Sequence, residues 1–385
     1  MSDFQPAARL RGIEKSLIRQ VFDRAHPDSI NLGLGEPDLP TPTVIRQEAA
    51  RAILEEQNGY TMHAGLKALR ERVATDYPYL ESKPERVIIT AGSQEALYLA
   101  LMTLVDDGDE VLLPDPGFVA YPTIVRMAGG VPKYYRMPAA SDFSFDRREF
   151  RRALTPRTKV VVCISPSNPT GRTLSAEDLQ AMSSALEGTN AYVISDEIYR
   201  ELYYTSERPQ TISDFYPRTL IIGGLSKSMS MTGWRVGWLC GNDEVIESSL
   251  ILHGYVTTCA STISQKAALA AWGAEAEQAR SEFRERFRKR RDYLLELVES
   301  RLGLRGVTPD GAFYAMVELG GELSSIEVAE EMLEHRVITV PGVAFGAEGE
   351  GFLRVSFCAD EEKLALGVER MKQGLESFSK MRRER

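Results

Sequence analysis

Three short apolar runs constrain this chain most: KVVVCIS at 159–165, AYVIS at 191–195 and TLIIG at 219–223. None of them alternates polar with apolar residues, so a strand built from any one must be covered on both faces. Helix-patterned stretches lie between such runs. SAEDLQAMSSALEG (175–188) opens with a capping box from Ser175 to Asp178, and GSQEALYLALMTLV (92–105) begins a helix at Gly92 and Ser93. Further strands are read at 86–90, 110–113 and 132–137, with helices at 43–57, 66–76 and 119–129. Buried strands alternating with helices imply an α/β fold whose sheet is mostly parallel and covered on both sides.

The pattern changes after residue 274. Residues 275–300 form a long, highly charged helix, with Phe283, Phe287, Tyr293, Leu294 and Leu297 as its apolar contacts. An α+β segment follows: AFYAMVEL (312–319), a helix near 325–335, VITV (337–340), FLRVSF (352–357) and a closing helix at 361–380. Residues 9–25 read as an amphipathic helix, followed by the Gly- and Pro-dense NLGLGEPDLPTP (31–42), which rules out a regular element there.

Composition excludes several function classes. The 385 residues carry 46 Lys plus Arg against 55 Asp plus Glu, a formal charge of −9, so no basic excess is available for nucleic-acid phosphates. No run approaches the ~18 apolar residues of a membrane helix. The first thirty residues are charged and lack the apolar core of a signal peptide. Cys163, Cys240, Cys259 and Cys358 are widely spaced and read as free thiols in a reducing, cytoplasmic setting. The four histidines form no close ligand pair, so no metal site is expected.

Chemistry concentrates where strands end. Lys227 lies just past the run at 219–223, with Ser226 beside it and Arg235 beyond Gly233. A lysine in a partly apolar cleft loses its proton more easily and forms a Schiff base with an aldehyde. Arg235 offers a rigid fork for a phosphate or carboxylate. Asn168 follows the run at 159–165, and Asp196 with Tyr199 follows that at 191–195. Gly92, Ser93 and Gln94 follow the strand at 86–90 and open a helix, presenting free backbone N–H groups to an anion. Each has a bland account as a cap or turn. Four in succession along the carboxyl edge of an open sheet point to a ligand site.

The ordered set NLGLGEPD, Tyr60 with Gly65, GSQEAL, NPTG, SDEIY, SKxxxxxGWRxG and LRVSF resembles the fold-type-I pyridoxal-phosphate enzymes, specifically class I aminotransferases of the aspartate aminotransferase kind. The resemblance runs from about residue 10 to about residue 375. It implies a large domain over 45–280 with a seven-stranded sheet, and a small α+β domain made of 1–44 and 281–385. It also implies a homodimer with shared active sites, acting on a small-molecule L-amino acid and a 2-oxo acid.

Residue by residue, the resemblance makes Lys227 the covalent attachment point for pyridoxal phosphate, and afterwards the base and acid of the proton shift. Asp196 would pair with the pyridine nitrogen and keep it protonated, making the ring a better electron sink. Asn168 and Tyr199 would hydrogen-bond the ring oxygen, and Phe118 would stack on the ring. Ser93, Gln94, Ser226 and Arg235 would bind the phosphate, joined by Tyr60 of the neighbouring subunit. Arg354 would take the substrate α-carboxylate as a bidentate pair, with the backbone of Gly35 close by. The implied reaction is ping-pong transamination. Elimination or cyclisation on the same scaffold shares the Cα carbanion and is the alternative reading. An effector-binding regulator is a third, opposed by the acidic charge and by the presence of Lys227.

The chain departs from the family pattern at Ile13, which no proline follows, and at Met62 and His63, where relatives often have proline. His63 reads either as a loop residue or as a contact to a neighbouring subunit's substrate. No local signal marks a second arginine for a dicarboxylate side chain; Arg9, Arg11, Lys15 and Arg126 are open candidates. Loops at 10–35, 60–65, 118–126 and 250–260 are expected to shape the side-chain pocket.

Overall fold

Seven strands stand side by side in the order Val87–Thr90, Gly237–Cys240, Thr219–Gly224, Tyr192–Asp196, Thr158–Ile164, Glu110–Asp115 and Val131–Arg136. This computed structural model describes residues 4–54, 57–321 and 323–384. All of the strands run the same way except Gly237–Cys240, which is antiparallel to both its neighbours. The absence of alternation in the strand sequences has its expected consequence. Val160 and Val162 enter one core with Leu97, Leu101 and Phe287, while Val161 and Cys163 enter another with Phe150 and Met182. Each such side chain, removed from water, contributes about 1.5–3 kcal/mol.

The strand Gly237–Cys240 was not foreseen, because 222–238 reads as strand end and loop. Four residues with glycines at 233, 237 and 241 are too short and too punctuated for a periodic signal. What makes them a strand is the gap between Val87–Thr90 and Thr219–Gly224, whose edges they satisfy on both sides.

A four-stranded antiparallel sheet, ordered Val340–Pro341, Phe352–Ser356, Tyr314–Glu318 and Gly306–Val307, lies beyond the long helix Ala274–Leu297. The expected strand 337–340 is divided. Val337–Ile338 instead pairs in parallel with Ile30–Asn31, so chain ends more than 300 residues apart meet in one small sheet. Asp38 is held by both Arg290 amino groups, at 2.7 and 3.0 Å, which ties the 31–42 segment to the long helix.

The amphipathic helix expected over 9–25 is much shorter. A single turn spans Ala8–Leu10, Gly12 takes a left-handed φ of 76°, and the helix proper is Leu17–Asp23, capped by Ser16. Gly12 accommodates that backbone without the steric cost of a Cβ, so the apolar periodicity is interrupted by the chain's own turn. The helix expected over 43–57 is Thr43–Leu54; residues 55–56 of that expectation lie outside the described residues. Residues 250–256 are not loop but the end of the helix Asp243–Val256. All four cysteines are free, three of them buried. No described helix is long and apolar enough to cross a membrane.

Candidate active site

The carboxyl ends of the parallel strands converge on a cleft of about 300 Å³. Asp196 is the last residue of its strand, and Asn168, Ser226 and Lys227 follow theirs within a few residues. Ser93 and Gln94 begin the helix Ser93–Leu104, so their N–H groups face the cleft at the positive end of the helix dipole. Phe118 approaches from the turn after Glu110–Asp115, and Gly35 from the N-terminal segment. Arg354 reaches in from the small sheet, where it stands on the strand Phe352–Ser356.

Two glycines let the groups of the anion-facing corner pack closely. A Cβ on Gly92 would stand 2.3 Å from Arg235 Nη2, and one on Gly237 would stand 2.7 Å from the backbone nitrogen of Ser93. Arg235 is fixed by donating to the carbonyl oxygens of Thr232, at 2.8 Å, and Ala91, at 3.1 Å. At the other side, Gly35 lets its backbone lie against Tyr314, whose hydroxyl would be 1.5 Å from a Cβ there.

The charged groups are strongly perturbed. Lys227 Nζ donates to the Gly35 carbonyl at 2.8 Å. Burial pulls its pKa below the ordinary lysine value, and the guanidiniums of Arg354 and Arg235 act in the same direction. Burial raises Asp196 to about 6, against the hydrogen bonds it accepts from Tyr121, at 2.9 Å, and the Ile198 N–H, at 3.2 Å. Arg354 is 2% exposed. It donates to Asn168 Oδ1 at 2.8 Å and to the Gly33 carbonyl, and it lies 4.2 Å from the Tyr314 ring centroid and 4.7 Å from that of Phe345. Its Nε has no hydrogen-bond partner among the described residues. The Tyr199 and Tyr314 hydroxyls are 3.0 Å apart.

Every site residue expected from the sequence lines this cleft except Tyr60, which is 87% exposed on the outer surface. His63 is also exposed and lies against Gly254. Arg9, Arg11, Lys15 and Arg126 do not line the cleft; Lys15 is paired with Asp23 at 2.7 Å. Sequence reasoning did not single out Tyr121 or Tyr314, which stand within the stretches 119–129 and 312–319. It also missed Ile18 and Leu34 at the mouth. Nothing local distinguishes such tyrosines; only the partner of each hydroxyl does.

Three cations, one buried acid and an open helix N-terminus line one cleft, a set suited to anionic groups. Comparison with known proteins agrees. The chain is 35% identical over 378 residues to a probable aspartate aminotransferase of Methanocaldococcus jannaschii, covering 94% of this chain and 98% of that one. It is 38% identical over 349 residues to an aspartate/prephenate aminotransferase of Thermus thermophilus, covering 89% and 90%. The solved aspartate aminotransferase from Thermus thermophilus with maleate superposes at a TM-score of 0.91 with 35% identity, over 96% of this chain and 100% of that one. Residues 27–371 match the family described as aminotransferase class I and II. The chain therefore belongs to the class I and II aminotransferases, pyridoxal-phosphate-dependent enzymes that move an amino group between an amino acid and a 2-oxo acid in a ping-pong cycle.

Proposed function

We propose that this cleft holds pyridoxal phosphate, with Lys227 as its covalent anchor, and that each cleft residue keeps the role expected from the family pattern. The observation that carries this reading is the convergence of Lys227, Asp196, Arg235 and Arg354 on one cleft. The N-terminus at Ser93 and Gln94 beside Arg235 suits a dianion, and a side chain at Gly92 or Gly237 would push Arg235 or the Ser93 backbone out of place. Pyridoxal phosphate, when bound, supplies the electron sink for the pair released at the substrate Cα.

The protein's own groups do the rest. Ser93, Gln94, Ser226 and Arg235 grip the phosphate. The Asp196 carboxylate, ionised, accepts from the ring N–H, and Tyr121 keeps it oriented. Asn168 accepts from Arg354 with its oxygen, which leaves its amide N–H groups to donate to the ring oxygen together with Tyr199. Phe118 covers one ring face. Arg354 and the Gly35 backbone take the substrate α-carboxylate. Lys227 Nζ, freed by the incoming amine and biased toward its neutral form, takes the Cα proton and later returns it.

The unit is proposed to be a cytoplasmic homodimer, with Tyr60 completing the partner's phosphate site. Exposed large apolar side chains support this: Leu54 and Met62 near Tyr60 in the chain, and Ile251, Tyr255 and Val256 on the helix whose Gly254 lies against His63. A small domain of residues 1–44 and 281–385 is supported by the pairing of Ile30–Asn31 with Val337–Ile338. Free thiols support a reducing compartment.

The test has two parts. Borohydride reduction should fix the cofactor to the peptide containing Lys227; label on another lysine overturns the assignment. A panel of amino donors, each without an acceptor, should then yield oxo acid and pyridoxamine phosphate in equal amounts, and oxo acceptors should return the pyridoxal form. Loss of a side-chain leaving group in place of amino transfer would favour elimination.

A further inference from the structure

A buried acid and a buried histidine lie behind the helix N-terminus, outside the cleft, with no part in the chemistry described above. Glu95 is in the first turn of the helix Ser93–Leu104, and its N-cap, Gly92, has no side chain with which to cap. The Glu95 carboxylate turns back instead. One oxygen accepts from the Ala91 backbone N–H. The other accepts from Thr257 Oγ1 and faces His253 Nδ1 at 2.9 Å. His253 is fully buried, and its Nε2 has no hydrogen-bond partner among the described residues. Both donors come from the end of the helix Asp243–Val256 and the residue after it, more than 150 positions along the chain.

Ala91 joins this pair to the site. Its N–H goes to Glu95, and its carbonyl accepts from Arg235 Nη2 at 3.1 Å. The two peptide groups on either side of the Ala91 Cα thus couple the Glu95 contact to the orientation of Arg235 and to the turn that opens the N–H groups of Ser93 and Gln94. Burial opposes ionisation of Glu95, but the donors from His253, Thr257 and Ala91 outweigh it and hold its pKa below the ordinary glutamate value. A bare carboxylate one turn from a phosphate dianion would repel it. Donors on the far oxygen draw that charge away from the phosphate.

We propose that Glu95 and His253 are positioning residues for the phosphate end of the cofactor: they fix the Ala91–Ser93 turn and Arg235, and they mask the glutamate charge. The proposal rests on the reading of the cleft as a pyridoxal phosphate site. Trapping the cofactor on Lys227 in the unaltered protein tests that reading separately.

The experiment compares pyridoxal phosphate with pyridoxal, which lacks the phosphate. Full-length Glu95→Ala, Glu95→Gln and His253→Gln chains are stripped of cofactor, and the affinity for each probe is measured by aldehyde absorbance. Loss of a buried charge-assisted contact predicts that E95A weakens pyridoxal phosphate binding by about tenfold to a hundredfold while pyridoxal changes less than about threefold. E95Q keeps an oxygen for the Ala91 N–H and should recover most of the loss. H253Q should fall between them. The phosphorus resonance of the bound cofactor should shift in E95A and H253Q. Equal losses for both probes, or an unchanged ratio in every variant, would overturn the proposal. If E95A does not fold, H253Q decides it by the same ratio and by the phosphorus signal.

Discussion

The rim of the large sheet and the mouth of the cleft are built on opposite principles. At the rim, Asp196, Asn168, Ser226 and Lys227 are set on or directly after buried strands whose register is fixed by hydrogen bonds on both sides. At the mouth, Leu34 and Ile18 come from an irregular segment and a seven-residue helix. The difference teaches where each task belongs. Groups that handle protons and charge need positions held to fractions of an ångström, and rigid elements give that. Groups that select a side chain tolerate looser placement, because an apolar contact has no preferred direction.

Breaking the rim should therefore cost far more than altering the mouth. The largest effect is expected for K227A: transamination should fall by several orders of magnitude, and borohydride should no longer fix the cofactor. A residual rate within tenfold would show that the rim chemistry does not depend on this amine. R354A comes next. Loss of a buried bidentate contact costs ~2–5 kcal/mol, so kcat/KM for α-carboxylate substrates should drop about 30-fold to several thousand-fold. A carboxylate-free amine should be affected far less, and an equal defect would remove Arg354 from its assigned role.

Asp196 sharpens the contrast through pH. Its pKa is raised from 3.8 to about 6 in the folded chain. A raised carboxylate binds a proton that the unfolded chain gives up, so its contribution to stability is present below pH 3.8 and is lost as pH rises through about 6. Cofactor binding needs the anion and should show the opposite slope. In the cofactor-stripped chain, affinity for pyridoxal should rise by up to about tenfold per pH unit below 6, while the unfolding midpoint falls over the same range. D196N should flatten both slopes; a slope that persists in the variant belongs to another group.

Tyr60 tests whether the mouth extends across a subunit boundary. Y60F should lose about 1–3 kcal/mol of phosphate binding. Mixed with K227A and allowed to exchange subunits, it should regain activity toward one native site per dimer. No recovery in demonstrated heterodimers would place Tyr60 outside the shared site. The smallest effect is expected for L34A, a few-fold change in KM that depends on substrate side chain, with cofactor affinity unchanged. A large loss of cofactor binding there would erase the distinction between rim and mouth.

Legibility in the sequence follows the same division. Lys227, Asp196 and Asn168 were readable because each follows an apolar run within four residues, and a strand that ends there delivers the residue to the edge. The helix over 9–25 was over-read because apolar spacing is blind to the left-handed turn at Gly12. The strand Gly237–Cys240 was invisible because its only reason to exist is a pair of strands elsewhere. Tyr121 and Tyr314 carry no mark in the sequence, because a buried tyrosine and one beside the cleft share the same apolar surroundings. Glu95 and His253 each sit unremarkably in a helix, and their pairing spans 158 positions.

The sequence by itself determined the α/β class, the carboxyl edge at which the cleft lies, and three of the charged groups that line it, Lys227, Asp196 and Arg235. Those properties follow from local spacing along one chain, where a buried run and the residue after it move together. Tertiary structure alone decided the sheet order, the junction of the two chain ends at Ile30 and Val337, and the pairs Tyr121–Asp196, Arg354–Asn168 and His253–Glu95. The reason is physical. A hydrogen bond between distant residues leaves no period in the sequence, and its partner is fixed only when packing has removed both groups from water.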